Sequence, residues 1–270
     1  MVSFRELLYR ETGITLADSK QSMVSARITK RLRALRFSSF GEYLRLLRSP
    51  QGRSQELDEF IDVMTTNKTE FFRERRHFDI LLAKVLKLVR AGMAPGEDFR
   101  VWSAACSTGE EPYSLAMLLY DYFLCVPEDY SILATDICRE ALQRAQRAIY
   151  PSELAASIPS PYAERFVLRG KGQQEGSCRI APEIRRKVSF KRLNLMDSAF
   201  NISPLMHVIW CRNVMIYFDA KSKTELCRKF SHLLVPGGFI FVGHSESLNG
   251  LTNEFEQFSP AVYRKPLERS

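Results

Sequence analysis

VWSAACSTGEEPYSLAMLL, residues 101–119, is the stretch from which the rest of the chain can be placed. Val101 to Ala105 is a compact apolar run, which is typical of a strand inside a parallel sheet. Cys106 to Gly109 interrupts this run, and Pro112 suits the first position of a helix, where its missing N–H costs nothing. From Leu115 onward, apolar residues recur at i, i+3, i+4 and i+7, which indicates one buried helix face. A strand that turns sharply into a helix is the first half of a nucleotide-binding βαβ unit.

The pattern of alternating strands and helices continues to the end of the chain. Strands are predicted at 99–105, 130–135, 207–212 and 238–243, and helices at 112–124, 138–148 and 220–234. The last helix meets a clear stop at Pro236-Gly237-Gly238, and Phe255 to Tyr263 predicts a late pair of strands. Strands separated by helices favour an α/β fold with a doubly wound, parallel, Rossmann-like sheet.

Residues 1–75 are predicted to form an all-α N-terminal domain, because no strand pattern occurs before residue 98. The helices expected there are 2–9, 19–35, 40–47 and 56–64, and Ser49 to Gly52 closes the third. Residues 76–98 are predicted to be a connecting helix and linker. The polar stretch 65–78 leads into this helix, and Thr69 can cap it. The third predicted domain is 99–270.

A small antiparallel insertion is predicted at about 163–193. Arg165 to Leu168 and Ser177 to Ile180 flank a glycine-rich turn and indicate a hairpin, and Val188 to Leu193 is a further strand. Such an insertion offers an exposed edge strand to a peptide. An ordinary surface insertion without a binding role explains the same pattern, so a peptide-binding insertion and a purely structural one both remain open.

Composition narrows the function. The 270 residues are 45% hydrophobic and 26% charged, so the chain can bury a core. Neither an apolar run of about 20 residues nor a signal-peptide pattern occurs, which predicts a cytoplasmic protein without membrane insertion. The six cysteines form no C-x-x-C pair. We therefore expect buried thiols and do not expect a metal site.

The formal net charge of +8 predicts an acidic partner, which can be a nucleic acid, an anionic membrane surface or an acidic protein. Between Lys20 and Arg36 the chain carries basic residues without an acid. This run is either a solvated helix face or a docking surface. Nucleic-acid binding is less favoured, because no aromatic residue for stacking occurs until Phe37.

The strand ends hold the candidate chemistry, because ligands of open α/β sheets bind there. The first loop has only Gly109, so it suits an adenosine cofactor without phosphates better than a pyrophosphate. Asp136 can accept hydrogen bonds from a ribose or cap a helix, and Glu111 can bind a ligand or belong to a helix cap. Together the two acids favour a ligand. Asn213, near Tyr217, is either part of a site or a turn residue.

Five segments resemble the CheR-type chemotaxis methyltransferases. They are TTNKTEFFRE (65–74), VWSAACSTGEEPYSLA (101–116), ATDI (134–137), CRNVMIYFD (211–219) and GHSESL (243–248). The resemblance covers nearly the whole chain. It implies a class I methyltransferase-like fold and transfer of a methyl group from S-adenosylmethionine to glutamate side chains of chemoreceptors.

The resemblance also implies a set of site residues. Those of the cofactor pocket are Asn67, Thr69, Arg73, Glu111, Asp136, Asn194, Leu195, Asn213 and Val214. Arg73 and Tyr217 match positions near the transferred methyl group, and S-adenosylhomocysteine is the implied product. The N-terminal helices are expected to face the cytoplasmic domain of a chemoreceptor. The insertion binds a receptor's C-terminal peptide tail in some family members only.

Three other functions remain as alternatives. A nucleic-acid methyltransferase would share the fold, cofactor and basic charge. Such enzymes often carry an Asn/Asp-Pro-Pro-aromatic motif after the fourth strand, whereas residues 211–214 read Cys-Arg-Asn-Val. An inactive cofactor-binding signalling module is disfavoured by the complete residue set. A dinucleotide dehydrogenase is disfavoured by the single glycine of the first loop.

Overall fold

The computed structural model describes residues 2–124 and 129–267, and its N-terminal part is helical as predicted. The helices of this part are Val2–Thr12, the 3-10 turn Asp18–Lys20, Gln21–Leu35, Phe40–Arg48, Pro50–Gln55 and Leu57–Met64. Their apolar faces meet in one cluster in which the Phe4 ring stacks on Tyr43, and Phe60 packs tilted against Phe4 and edge-to-face against Tyr43. The helical spacing of these apolar residues therefore builds a separate small core.

The third helix ends at Arg48 with Ser49 as its C-cap, as predicted, but a helix that was not predicted follows at once. The Ser49 hydroxyl accepts a hydrogen bond from the Gly52 N–H and caps this additional helix, Pro50–Gln55. One prediction in this region was wrong. Thr69 does not cap the connecting helix, which begins at Arg76 and runs through Arg76–Ile80, the π-helical Leu81–Val85 and Leu86–Arg90. Residues 66–75 are instead an irregular segment, which is free to line a site.

The second part of the chain is an α/β unit with the expected mostly parallel sheet. Its strands are β1 Phe99–Ala104, β2 Tyr130–Asp136, β3 Ile149–Pro151, β4 Val167–Arg169, β5 Ser177–Ile180, β6 Val188–Arg192, β7 Met206–Trp210, β8 Leu234–Phe241, β9 Glu256–Ser259 and β10 Val262–Arg264. Seven strands form one sheet in the order β6-β2-β1-β7-β8-β10-β9. The first five run parallel, as predicted. The predicted late pair is present as β9 and β10, and both of its pairings are antiparallel.

Helices cover this sheet, and its strands carry apolar residues on both faces. Along β1, Val101 faces one cluster and Trp102 faces the other. The helices and turns of this part are Glu110–Phe123, Arg139–Arg147, Ser152–Ala155, Ser160–Phe166, Gly172–Gln174, Pro182–Arg185, Met215–Tyr217 and Ala220–Leu233. The last long helix ends at Leu233, before the predicted stop, and β8 already starts at Leu234.

The antiparallel insertion is present, but its boundaries differ from the predicted 163–193. Its sheet has the order β3-β5-β4, so it begins at Ile149, and the predicted hairpin is β4 and β5. The strand Val188–Arg192 lies outside it and pairs in parallel with β2 in the large sheet. Sequence periodicity could not separate these cases, because the strands concerned are short and mix apolar with polar residues in either sheet.

None of the described helices is long and apolar enough to cross a membrane. Cysteines 106, 138, 178, 211 and 227 are buried free thiols. Cys125, which was expected to behave in the same way, lies outside the described residues.

Candidate active site

The turn after β1 has an unusual backbone. Ala105, Ser107 and Gly109 all have positive φ values, of 63°, 51° and 96°. A Cβ atom on Gly109 would lie 2.8 Å from the Cβ of Ala145 and 2.9 Å from the hydroxyl of Tyr150. Glycine is therefore required by both the backbone and the close approach. The turn directs the segment 105–107 toward the end of β2.

Asp136 at the end of β2 is buried and holds this turn. Its Oδ2 accepts a hydrogen bond from the Ser107 N–H at 2.7 Å, and its Oδ1 accepts one from the Cys138 N–H at 2.9 Å. The next helix begins at Arg139 with Cys138 at the N-cap position, so Asp136 is not its N-cap. Burial raises the pKa of the carboxyl group. A carboxylate has about four acceptor positions, which leaves two available beyond the backbone bonds.

Glu111 is also buried, and it does not cap its helix. The helix begins at Glu110 after Gly109 without a side-chain capping bond, so the capping interpretations of Glu111 were wrong and Pro112 is the third residue rather than the first. The Glu111 carboxylate accepts a hydrogen bond from the Ser103 hydroxyl at 2.8 Å and one from Nε of Arg212 at 3.1 Å. Its pKa is raised because burial outweighs the ion pair with Arg212.

Arg212 connects this carboxylate to the segment 66–75. Its guanidinium donates to the backbone carbonyl of Arg73 at 2.8 Å and approaches a Glu74 oxygen at 3.8 Å. It also lies 3.3 Å from Nδ1 of His77, whose pKa falls to about 3 because of burial and the nearby guanidinium. Glu74, His77 and His244 have the composition of a metal site. The guanidinium of Arg212 already supplies positive charge beside Glu74 and His77, so we interpret this group as the environment of Arg212 rather than as a metal site.

The segment 66–75 is fixed by further contacts. Phe72 and Glu74 have positive φ values of 52° and 58°, and the Phe72 N–H donates to the Ser114 hydroxyl at 2.9 Å. Asn67 donates to the Cys138 sulfur at 3.3 Å, and Nη1 of Arg73 donates to the Lys68 carbonyl at 3.2 Å. The backbone therefore follows a path that no helix or strand pattern describes.

The first helix also reaches the site, which the sequence did not predict. The Asn194 amide donates to the Glu11 carbonyl at 2.7 Å, and the Thr15 N–H donates to the Tyr217 carbonyl at 2.7 Å. Gly13, with φ of 70°, lies against Met196. As a result, Thr12 and Ile14 face the same space as the strand ends. The local sequence signal for this path is Gly13, which directly follows the end of the first helix at Thr12.

These elements line a cleft that is partly open to solvent, with about 850 Å³ of empty space when its open mouth is included. All the candidate site residues line it, which are Asn67, Thr69, Arg73, Glu111, Asp136, Asn194, Leu195, Asn213, Val214 and Tyr217. Residues outside this set also line it, among them Thr12, Ile14, Ser107 and Arg212.

The chemistry of the lining fits a nucleoside-type cofactor. The Ser107 hydroxyl is buried and has no hydrogen-bond partner among the described residues. Asp136 retains acceptor capacity beside it, and Leu193, Leu195 and Ile137 add apolar surface. A ligand that combines hydroxyl groups with a flat apolar base would satisfy both parts of the lining. Fold and cleft thus define a protein of the Rossmann-like, adenosine-binding class.

Comparison with known proteins identifies the family. Residues 67–263 match the CheR methyltransferase SAM-binding domain, and residues 1–65 match the CheR methyltransferase all-alpha domain. The chain is 41% identical to the chemotaxis protein methyltransferase of Salmonella typhimurium, over 96% of this chain and 87% of that protein. It is 42% identical to that of Escherichia coli, with the same two coverages. This chain therefore belongs to the CheR family of S-adenosylmethionine-dependent methyltransferases.

The similarity to solved structures is more distant. The N-methyltransferase NodS from Bradyrhizobium japonicum in complex with S-adenosylhomocysteine has a TM-score of 0.40 and 14% identity, over 84% of this chain and 98% of that one.

Proposed function

We propose that this protein transfers a methyl group from S-adenosylmethionine to glutamate side chains of chemoreceptors and so forms methyl esters. The observation that carries this proposal is the single cleft, in a chain of the CheR family, that brings the candidate cofactor residues together with Arg73 and Tyr217. Receptor glutamates are ionised at neutral pH, since their pKa is normally about 4.3, so the reaction needs no general base.

Different lining residues would bind different parts of the cofactor. Asp136 would accept hydrogen bonds from the ribose hydroxyls, with Ser107 beside it. Leu195 and Val214 would pack on the base, and Asn67, Thr69 and Asn194 would hold polar groups. Glu111 would hold the polar end together with Arg212. When bound, S-adenosylmethionine supplies an activated methyl group on a sulfonium centre.

Arg73 and Tyr217 are proposed to act on the incoming carboxylate. Arg73 attracts and holds it by charge, whereas a very tight ion pair would weaken it as a nucleophile. None of the described residues forms a hydrogen bond with the Tyr217 hydroxyl, so this hydroxyl is free to orient the carboxylate. Positioning of two reactants and exclusion of water can contribute roughly 7–11 kcal/mol of barrier reduction.

The receptor is proposed to dock on the N-terminal helices from the cytoplasmic side. Within the basic run, Arg27 and Arg31 are used internally, because Arg27 donates to the Met64 carbonyl and Arg31 pairs with Glu56. The exposed basic residues of the run are Lys20, Lys30, Arg33 and Arg36. These four can face an acidic surface of a receptor.

A receptor tail peptide would add to an edge of the small sheet. Both β3 and β4 are edge strands, and they expose Ile149 and Leu168. This proposal follows the general mode in which an extended peptide pairs with a free strand. The domain division that we propose remains 1–75, 76–98 and 99–270, with the insertion taken from the observed small sheet.

A methylation assay tests the proposal. Purified protein is incubated with methyl-labelled S-adenosylmethionine and a receptor cytoplasmic fragment, and base treatment then releases volatile methanol from any carboxyl ester. We expect base-labile label on the receptor. A base-stable label on the receptor, or transfer to RNA instead, would refute the glutamate assignment. A receptor fragment without its C-terminal tail tests the role of the insertion separately.

A further inference from the structure

The motif GHSESL, residues 243–248, lies just beyond β8 and is not part of the cleft lining. Within it, Glu246 is only 9% exposed, which is unusual for a glutamate. No ion pair involving its carboxylate is found among the described residues. Three backbone N–H groups surround the carboxylate instead.

These three contacts reach two different segments. Oε2 accepts hydrogen bonds from the Asn213 N–H at 2.8 Å and the Gly243 N–H at 2.6 Å. Oε1 accepts one from the Ile216 N–H at 3.1 Å. Asn213 and Ile216 belong to the turn after β7, and this turn includes the 3-10 helix Met215–Tyr217. One carboxylate therefore joins the end of β8 to the turn that carries Asn213 and Tyr217.

The turn needs such a contact because its backbone is unusual. Asn213 has a φ of 59°, a left-handed conformation that is costly for most residues. Its side chain donates to Oε1 of Glu74 at 3.2 Å, and its backbone N–H is a separate donor that also needs a partner. Hydrogen bonds to a charged acceptor contribute more than neutral ones. The carboxylate of Glu246 is therefore suited to hold the turn in place.

We propose that Glu246 is a positioning residue for the methyl transfer. Its carboxylate accepts hydrogen bonds from the backbone N–H groups of residues 213 and 216. These bonds fix the position of Asn213 relative to the cofactor and the orientation of Tyr217 toward the incoming carboxylate. It touches neither ligand itself. This inference rests on the proposed function, and binding of S-adenosylhomocysteine tests part of it without any methyl acceptor.

The direct test is Glu246→Gln. An amide has one accepting oxygen, and its NH₂ group meets an N–H donor, so at least one of the three bonds is lost. We expect the Kd for S-adenosylhomocysteine to rise about tenfold and kcat to fall about ten- to a hundredfold, because small displacements at a reacting centre are costly. Both are measured well below the melting temperature, by calorimetry and by the labelled-methyl assay.

The matched control is Glu97→Gln. Glu97 pairs with Arg100 before β1, at the opposite end of the same sheet. Loss of its charge should lower the melting temperature while kcat and Kd stay within about twofold of the parent values. A positioning role predicts a kinetic loss for Glu246→Gln only, whereas a general structural role predicts the same behaviour for both variants.

Gly243→Ala disturbs the same junction without removing a charge. A Cβ there would lie 2.4 Å from Nδ2 of Asn213, 2.8 Å from Oε2 of Glu246 and 3.0 Å from the Asn213 backbone nitrogen. We expect the same combined loss of affinity and kcat. Gly238→Ala is its control, since that Cβ would meet the Val235 carbonyl at 2.9 Å, remote from the cleft. The proposal is overturned if Gly243→Ala, or a folded Glu246→Gln, keeps parent values of kcat and Kd.

If the protein methylates something other than receptor glutamate, the Kd comparison still decides whether Glu246 holds the cofactor side of the site. Failure of the proposed function and failure of this inference therefore give different results.

Discussion

Replacement of Asp136 by asparagine is expected to weaken cofactor binding strongly. The two side chains have nearly the same shape, so the change removes charge and one acceptor rather than packing. In the structure, both carboxylate oxygens are engaged by backbone, with Ser107 at 2.7 Å and Cys138 at 2.9 Å. In asparagine, one of these N–H groups would face the amide NH₂, so two donors would meet.

The magnitude follows from the bonds involved. One charge-assisted hydrogen bond to the turn is lost, and the bonds proposed to the ribose hydroxyls become neutral, each change being about 1.5–3 kcal/mol at most. Since the turn can relax in part, we expect a net loss of about 2–4 kcal/mol in binding, or about 30- to 700-fold in Kd.

Isothermal titration with S-adenosylhomocysteine measures this loss. Asp129→Asn is the matched control, because Asp129 lies just before the same strand, at its other end, and pairs with Lys187. We expect the control to bind within about twofold of the parent protein. A folded Asp136→Asn variant with a Kd within threefold of the parent, or an equal loss in the control, would refute the reasoning.

Three further predictions concern catalysis, stability and pH. Tyr217→Phe should lower kcat more than it weakens cofactor affinity, because only the orienting hydroxyl is removed. Gly13→Ala should lower the free energy of unfolding by about 1–2 kcal/mol, since φ is 70° there and the added Cβ would meet Met196 at 2.6 Å, and it should also weaken cofactor binding. His207 is buried, its Nδ1 accepts from the Arg100 N–H at 3.0 Å, and burial lowers its pKa to about 4. The unfolded chain then binds the extra proton between pH 6.5 and about 4, so stability falls as the pH falls through this window, by about 2 kcal/mol at pH 5.

Each of these has a clear contradicting result. Equal losses of kcat and affinity in Tyr217→Phe would exclude an orienting role. Gly13→Ala with unchanged cofactor affinity would show that the first helix does not shape the site. His207→Gln should flatten the acid limb of urea-derived stability against pH; a variant that keeps the slope of the parent protein would refute the assignment.

The strand–turn–helix at 101–119 and the order of later elements could be predicted because each strand there is buried on both faces and reads as a continuous apolar run. The wrong boundary of the insertion has another cause. Val188–Arg192 is short and its first four residues alternate apolar and polar, as an edge strand of either sheet can, and only its pairing with β2 places it in the large sheet. The partner of a strand depends on the fold as a whole, so the local periodicity of the sequence cannot predict it.

Within the site, the acids at strand ends were found because position along a parallel sheet predicts where they meet. Their roles as helix caps were equally consistent with the sequence, since Asp and Glu stabilise helix starts as well as ligands. Burial resolves the case of Glu111. Its oxygens face Ser103 and Arg212 in the interior, and neither is a backbone N–H of its own helix.

The residues that were missed are those whose partners lie far away in the chain. Arg212 reaches the carbonyl of residue 73, and Glu246 reaches the N–H groups of residues 213 and 216. Both use a charged side chain to satisfy backbone groups of irregular segments, which cannot pair within a helix or sheet. A site built on irregular backbone needs such remote partners wherever its conformation is costly. The buried charges of Arg212 and Glu246 therefore lie beside segments with positive φ values, at Glu74 and Asn213 respectively.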